Sequence, residues 1–375
     1  MKILHLLYDH PENPWLGGGA ALRAHEINSR LVALGHQVEL ICGGFPHHSN
    51  DHWESDGVHF YSTPAGRSYA ASRFLFNRHH HRIALERLSS QQFDLVVNDL
   101  SAFSKVVPSK FWNGATVALF HNLIGSRLFK KMGPLAPPFW WWERKMLHQH
   151  NATIAVSRWL ARKAEERGVA NVEVIYNGVA SLPFQIDEER DPATILYLGR
   201  IDIFQKGLDK LLLIFELVQR EIPDVKLMIA GTGDELDKLK KIATSRGLRN
   251  ISYVGRVGDK KYSLFARSTI VVLPSRFEGW GMVAVEAAAT GTPVVGSGAD
   301  GLAEAIDDGV SGLVVRGSER EFADAVIELL RSPQRRKELG EGGRRHAEQF
   351  QWERIAQQQL ELYRRVVESK RGELR

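Results

Sequence analysis

Two glutamates with seven residues between them, Glu278 and Glu286, are the residues of this chain best placed to do chemistry together. They stand in the stretch Phe277-Glu278-Gly279-Trp280-Gly281-Met282-Val283-Ala284-Val285-Glu286. The apolar run before it, Thr269 to Leu273, reads as a buried strand, and the alanine-rich run Met282 to Thr290 reads as a helix. The segment is therefore a strand-to-helix turn. Gly281 allows the backbone to approach a ligand closely. Free N–H groups at the start of a helix bind anions, and the helix dipole favours negative charge there. Glu286 lies about 6 Å up the helix from Met282, at ~1.5 Å per residue. Glu278 lies on the loop side. Carboxylates accept hydrogen bonds from hydroxyls. A diphosphate flanked by two sugars, as in a nucleotide-sugar, fits that arrangement. On the turn alone, a buried strand and core helix with two surface glutamates account for the same residues.

Cations close a second strand. Thr194 to Leu198 is apolar and ends in Gly199-Arg200, with Lys206-Gly207 shortly after. Two cations at that spacing can clamp a diphosphate, arginine through a fork of hydrogen bonds. Gly231-Thr232-Gly233 ends the strand Val225 to Ala230, and Gly255-Arg256-Val257 ends Ile251 to Val254. Near the N-terminus, Gly17-Gly18-Gly19 follows the strand Lys2 to Tyr8, where a dinucleotide fold makes its phosphate contact. The fingerprint G-x-G-x-x-G is not met, because the sixth position from Gly17 is Leu22. That weighs against a nicotinamide or flavin enzyme. His121-Asn122 closes the strand Thr116 to Phe120, at the end of a parallel strand where open α/β sheets bind ligands. A packed histidine capping the strand reads the same way.

The elements that must position these residues alternate between strand and helix, which predicts doubly wound parallel sheets. At 375 residues two domains are expected. Ala180 to Pro192 has Pro183, Pro192 and a charge cluster but no apolar period, so the linker is placed there. Residues 1–180 and 193–351 are the two domains, with 352–375 as a final helix. The composition, 43% hydrophobic and 25% charged, is that of a soluble globular protein. Cys42 is the only cysteine and reads as a buried strand residue. The N-terminal apolar run is too short for a signal peptide, and no window reaches the ~18 apolar residues of a membrane span. A reducing cytoplasm is the expected location.

The net charge of +5 is unevenly spread: residues 60–164 carry +11. Within them, Arg127, Lys130, Lys131, Arg144 and Lys145 surround Phe139-Trp140-Trp141-Trp142. Three adjacent tryptophans cannot share one core-facing side of a helix. Membrane interface, stacking on a sugar acceptor and ordinary packing all remain open. A weak, salt-sensitive contact with anionic membranes, at their inner face, is one expectation. His79-His80-His81 point in different directions on a helix, which disfavours a metal site.

Gly17-Gly18-Gly19, His121-Asn122, Ala155-Val156-Ser157, Asn177-Gly178-Val179, Gly199-Arg200 with Lys206-Gly207, Ala230 to Gly233, Glu278 to Glu286 and Phe350-Gln351-Trp352 occur in this order along most of the chain. Together they resemble the retaining glycosyltransferases of family 4. The resemblance implies the α/β GT-B fold, two Rossmann-like doubly wound domains facing across a cleft, with the last helix crossing back to the first domain.

It also implies roles. Arg200, Lys206 and the amides of Gly281, Met282 and Val283 would stabilise the leaving diphosphate, with Gly17 to Gly19 facing them. Glu278 would hold the transferred sugar and Glu286 the ribose. The nucleobase would rest near Gly231, Gly233, Arg256 and Val257. His121 would lie by the transferred sugar on the acceptor side. The donor would be a UDP-sugar, with a GDP-sugar open, and the acceptor a carbohydrate or lipid-linked molecule; no nucleic-acid partner is implied. No cofactor and no catalytic metal are implied, the two cations doing that electrostatic work. An epimerase, a phosphorylase or a catalytically silent sugar-binding protein are the alternatives.

Overall fold

The computed structural model describes residues 1–10, 12–13, 18–46, 51–100, 112–122, 133, 137, 141, 145 and 148–373. In chain order the elements are β1 (Lys2–Leu6), α1 (Gly19–Ala33), β2 (Gln37–Cys42), β3 (His52–Ser55), β4 (Val58–Ser62), α2 (Tyr69–Ser90), β5 (Leu95–Leu100), β6 (Ala115–Phe120), β7 (Ala152–Ala155), α3 (Arg158–Glu165) and β8 (Val172–Val174). Then follow β9 (Thr194–Leu198), α4 (Leu208–Glu221), β10 (Lys226–Ala230), α5 (Leu236–Ser245), β11 (Ile251–Gly255), α6 (Lys261–Arg267), β12 (Ile270–Leu273), α7 (Met282–Ala289), β13 (Val294–Ser297), α8 (Leu302–Ala305), β14 (Gly312–Val315), α9 (Glu319–Arg331), α10 (Pro333–Ala347) and α11 (Trp352–Glu373).

The first compact unit is Met1–Asn177 with Trp352–Arg375. Its sheet runs β3-β4-β2-β1-β5-β6-β7-β8. Strands β5 and β6 are buried along their whole length, as parallel strands covered on both faces must be. Every pair is parallel except β3–β4, a hairpin turned by Asp56 and Gly57, both at positive φ. The sequence reading missed β3 because His52-Trp53-Glu54-Ser55 has no apolar run. Ser157 caps α3 by accepting from the Leu160 amide at 3.2 Å. Cys42 is buried in β2, and burial pushes its thiol pKa up. His80 is also buried, with Nδ1 2.6 Å from the Phe76 carbonyl and its ring stacked on Phe76.

Helix α11 belongs to this unit through its own apolar stripe of Trp352, Ile355, Ala356, Leu360, Tyr363 and Val367. A buried arginine on α1 fastens it. Arg23 donates to the Tyr176 carbonyl, to Asn177 Oδ1 at 3.0 Å and to Gln359 Oε1 at 2.6 Å. Gln359 Nε2 donates onward to the Tyr363 hydroxyl at 2.6 Å. Burial lowers the Arg23 pKa to about 10.

The second unit, Gly178–Gln351, has the six-stranded parallel sheet β11-β10-β9-β12-β13-β14. Its core gathers Leu211, Leu212, Phe215 and Val218 of α4 against Ile195, Leu227, Ile229 and Val272 of the strands. The break between units falls at Asn177–Gly178, before the linker expected over 180–192. The reason is local bonding. The Val179 amide donates to the Phe350 carbonyl at 2.7 Å, and Arg344 holds the carbonyls of Phe184 and Ile186. A segment with no apolar period is thus tied down by backbone groups, which periodicity does not register. Strands β13 and β14 and helix α5 were also not read from the sequence.

Candidate active site

In the second sheet the chain runs outward from β9 to β11, then returns to the other side for β12 to β14. The topological switch lies between β9 and β12, the place where open α/β sheets bind ligands. Arg200 and Lys206 follow β9, and Glu278 follows β12. Lys206 Nζ donates to Glu278 Oε1 at 2.5 Å, with both side chains less than one fifth exposed. Ser275 Oγ donates to the same oxygen at 3.0 Å. Arg276 pulls the two loops together: its amide donates to the Gln205 carbonyl, and its guanidinium grips Asp209 with two bonds of 2.7 and 2.6 Å.

Arg200 is more exposed. Its Nη2 donates to Gln205 Oε1 at 2.8 Å and lies 3.9 Å from Asp202. The Gly199–Arg200 backbone is clamped to the next loop, Ile201 N–H donating to the Thr232 carbonyl at 2.9 Å. This close approach explains two glycines. A Cβ on Gly231 would lie 1.8 Å from the Gly199 carbonyl oxygen, and one on Gly233 would lie 2.2 Å from that of Ile201. The Gly231 amide also donates to the Gly255 carbonyl at 2.7 Å, so Arg256 and Val257 leave the sheet beside it.

Glu286 has its own lysine. It is buried on α7, and Lys261 Nζ donates to its Oε1 at 2.6 Å. Burial pulls the Lys261 pKa down, but the charges of and hydrogen bonds to Glu286 and Tyr262 together outweigh this and leave it above the ordinary lysine value. Burial, with the same carboxylate nearby, pushes the Tyr262 hydroxyl up to about 12.

One expectation for the turn needs correction. The Met282 amide is not open to a ligand; it donates to the Trp280 carbonyl at 3.1 Å. Gly281 and Val283 keep amides with no acceptor among the described residues. Gly281 is a glycine because of its own protein: a Cβ there would lie 2.7 Å from Leu302 Cδ1 and 3.0 Å from the Ala305 Cβ of α8.

The first unit has a separate cluster at its own switch, between β1 and β5. His121 follows β6, and its Nε2 lies 3.1 Å from Oδ2 of Asp99 in β5. Asp9 follows β1. Burial pushes its carboxyl up to about 6, with Arg73 pulling the other way and Asp99 adding to the rise. Gly18 stands before α1, Gly19 begins that helix, and among the described residues a Cβ on Gly18 would meet only Asp9 Oδ2, at 3.9 Å. Gly17, Trp140 and Trp142 lie outside the described residues. Asp9, Asp99, Ser275 and Lys261 were not singled out from the sequence. Asp99 had a readable signal, an acid at the carboxyl end of an apolar strand.

Residues 178–346 match the family described as "Glycosyl transferases group 1", and residues 17–181 match "Glycosyltransferase Family 4". The phosphatidyl-myo-inositol mannosyltransferase of Mycobacterium leprae is 32% identical over 266 residues, 68% of each chain. This chain belongs to glycosyltransferase family 4. The glycogen synthase of Mycobacterium tuberculosis aligns with all of this family 4 glycosyltransferase and 96% of its own length, at 28% identity. Its fold is GT-B. The sucrose-phosphate synthase from Thermosynechococcus elongatus superimposes with a TM-score of 0.84 at 20% identity, covering 98% of this chain and 99% of the other. The Anabaena protein HepE, solved in complex with UDP-glucose, gives 0.73 at 20% identity, with 96% and 99% covered.

Proposed function

We propose that this glycosyltransferase moves a hexosyl group from a UDP-sugar to a hydroxyl of a carbohydrate or lipid-linked acceptor, with retained anomeric configuration and no metal ion. The observation that carries this reading is the pairing of each glutamate in Glu-x7-Glu with a lysine, Lys206 on Glu278 and Lys261 on Glu286. In it, Arg200, Lys206 and the amides of Gly281 and Val283 face the diphosphate. Glu278 accepts from hydroxyls of the transferred sugar and Glu286 from the ribose, with the base beside Gly231, Gly233, Arg256 and Val257. His121 lies on the acceptor side.

The bond between the anomeric carbon and the phosphate oxygen breaks, and its electron pair goes to the diphosphate. The acceptor oxygen bonds the same face of that carbon, and its proton passes to the departing phosphate. Cations already in place gain most as that charge develops. The UDP-glucose complex of HepE supports the choice of donor. The names of the glycogen synthase and mannosyltransferase relatives motivate trying both acceptor classes.

A ligand that binds only the native state raises the melting temperature, by about 2.7 kcal/mol of added stability at 100 times Kd. UDP-sugars should therefore shift the thermal transition more than GDP- or ADP-sugars. Proton NMR of the product should show retention, with turnover unchanged by EDTA. An inverted product sinks the reading. So does conversion of the donor alone, as by an epimerase, or a requirement for phosphate, as by a phosphorylase.

A cytoplasmic protein touching the anionic inner face of a membrane is the second part of the proposal. No helix among the described residues is long and apolar enough to cross a membrane. Trp141 is 57% exposed with Lys145 Nζ 5.1 Å above its ring, and Phe74 on α2 is 65% exposed between the exposed Arg67 and Arg78. Vesicle flotation should recover more protein with anionic lipid than without, and the difference should vanish in high salt. Equal recovery from both vesicles ends this part.

A further inference from the structure

We propose that Asp99 is a positioning residue for His121, holding its imidazole in the Nε2–H tautomer and leaving Nδ1 as the ring's acceptor. The two residues stand at the carboxyl ends of neighbouring strands, Asp99 within β5 and His121 just past β6. The contact runs from Nε2 to Asp99 Oδ2 at 3.1 Å. A carboxylate has no hydrogen to give, so the nitrogen facing it must carry one. Among the described residues this is the ring's one hydrogen bond, and a fifth of the side chain is exposed.

The other histidine beside Asp99 does not reverse that assignment. Asn28 Nδ2 donates to His5 Nδ1 at 3.0 Å, so the hydrogen of His5 is on Nε2. That nitrogen points at the same Asp99 oxygen but stops 3.9 Å away. Burial lowers the His5 pKa, with the Asp99 charge pulling the other way. Asp99, with its side chain only 5% exposed, thus has an N–H on each side and a full bond to one of them. Which nitrogen of a histidine is protonated is set by the bond the other one makes. In the neutral ring that leaves His121 Nδ1 able to accept from a hydroxyl. The consequence for sugar transfer rests on the proposed reaction; the tautomer does not.

Long-range proton–nitrogen NMR of the ring nitrogens in the full chain tests it, with His121→Ala assigning the signals. The wild-type ring should show the Nε2–H pattern. In Asp99→Asn the amide can donate to Nε2, so the population should move toward Nδ1–H. The kcat should fall roughly 10- to 100-fold, the range for a polar group left without its partner, with KM for the donor little changed. Asp99→Glu should keep the tautomer and part of the rate. An Nδ1–H pattern in the wild type would overturn the proposal. So would an Asp99→Asn variant that loses activity with unchanged ring signals, because that is a merely structural effect. Normal turnover in His121→Ala would remove His121 from the proposed reaction, while the ring signals still decide the role of Asp99.

Discussion

Lys206→Ala should lower kcat by about 10²–10³, the usual effect of removing one donor from developing charge, in a protein that still folds. The side chain is less than one fifth exposed and has one partner among the described residues, Glu278, at 2.5 Å. The ammonium therefore rests on an internal carboxylate. In the proposed reaction it neutralises the diphosphate most when that group is leaving, so the loss falls on kcat more than on donor affinity. Ser275 and the Gly301 amide still hold Glu278 by its side chain and its carbonyl, which is why the loop should survive the change. Pairing the substitution with Glu278→Gln in a cycle should show strong non-additivity, of about 0.5–3 kcal/mol. Single-turnover kinetics on the two variants and their double would measure it. Near-normal turnover from a folded Lys206→Ala protein removes Lys206 from the chemistry.

The neighbouring residue should give the largest stability effect. Gly207 precedes α4 in a left-handed conformation, φ 66° and ψ 34°, and a Cβ there would lie 2.0 Å from the Pro274 carbonyl oxygen. The first term alone costs a side chain roughly 1–2 kcal/mol. The second adds a collision with backbone that cannot turn away, since Pro274 follows β12. Gly207→Ala should cost about 3 kcal/mol or more and lower the thermal transition of the second unit by roughly 6–12 °C. Gly247→Ala is the matched control. Its φ is 67°, with none of the described residues within 4 Å of the added carbon, so only the conformational term applies. Equal losses in the two variants would show that the Pro274 contact relaxes freely.

The parts of the site that were legible in the sequence are those that end parallel strands. Arg200, Lys206, Glu278 and His121 each follow a short apolar run, and apolar runs are what mark buried strands. Their partners were not legible. Lys261 meets Glu286 because α6 and α7 pack together, and the charge of Arg73 acts on Asp9 only in the folded first unit. The Met282 amide was misjudged for a related reason. A strand-to-helix turn promises free N–H groups, but which of them turns back onto a carbonyl depends on the conformation of Trp280 and Gly281. The late boundary placed at 180–192 has the same origin, since arginine–carbonyl bonds leave no periodic trace.

The return of α11 to the first unit makes the second an insertion, entered at Asn177–Gly178 and left at Gln351–Trp352. Its two ends are bonded neighbours, Val179 to Phe350. During synthesis the part begun first is therefore finished last. Arg23 waits, buried position unmade, until Gln359 leaves the ribosome, while the inserted unit already has every strand it needs. A nascent chain halted just before Trp352 would carry a completed second unit and an unclosed first one.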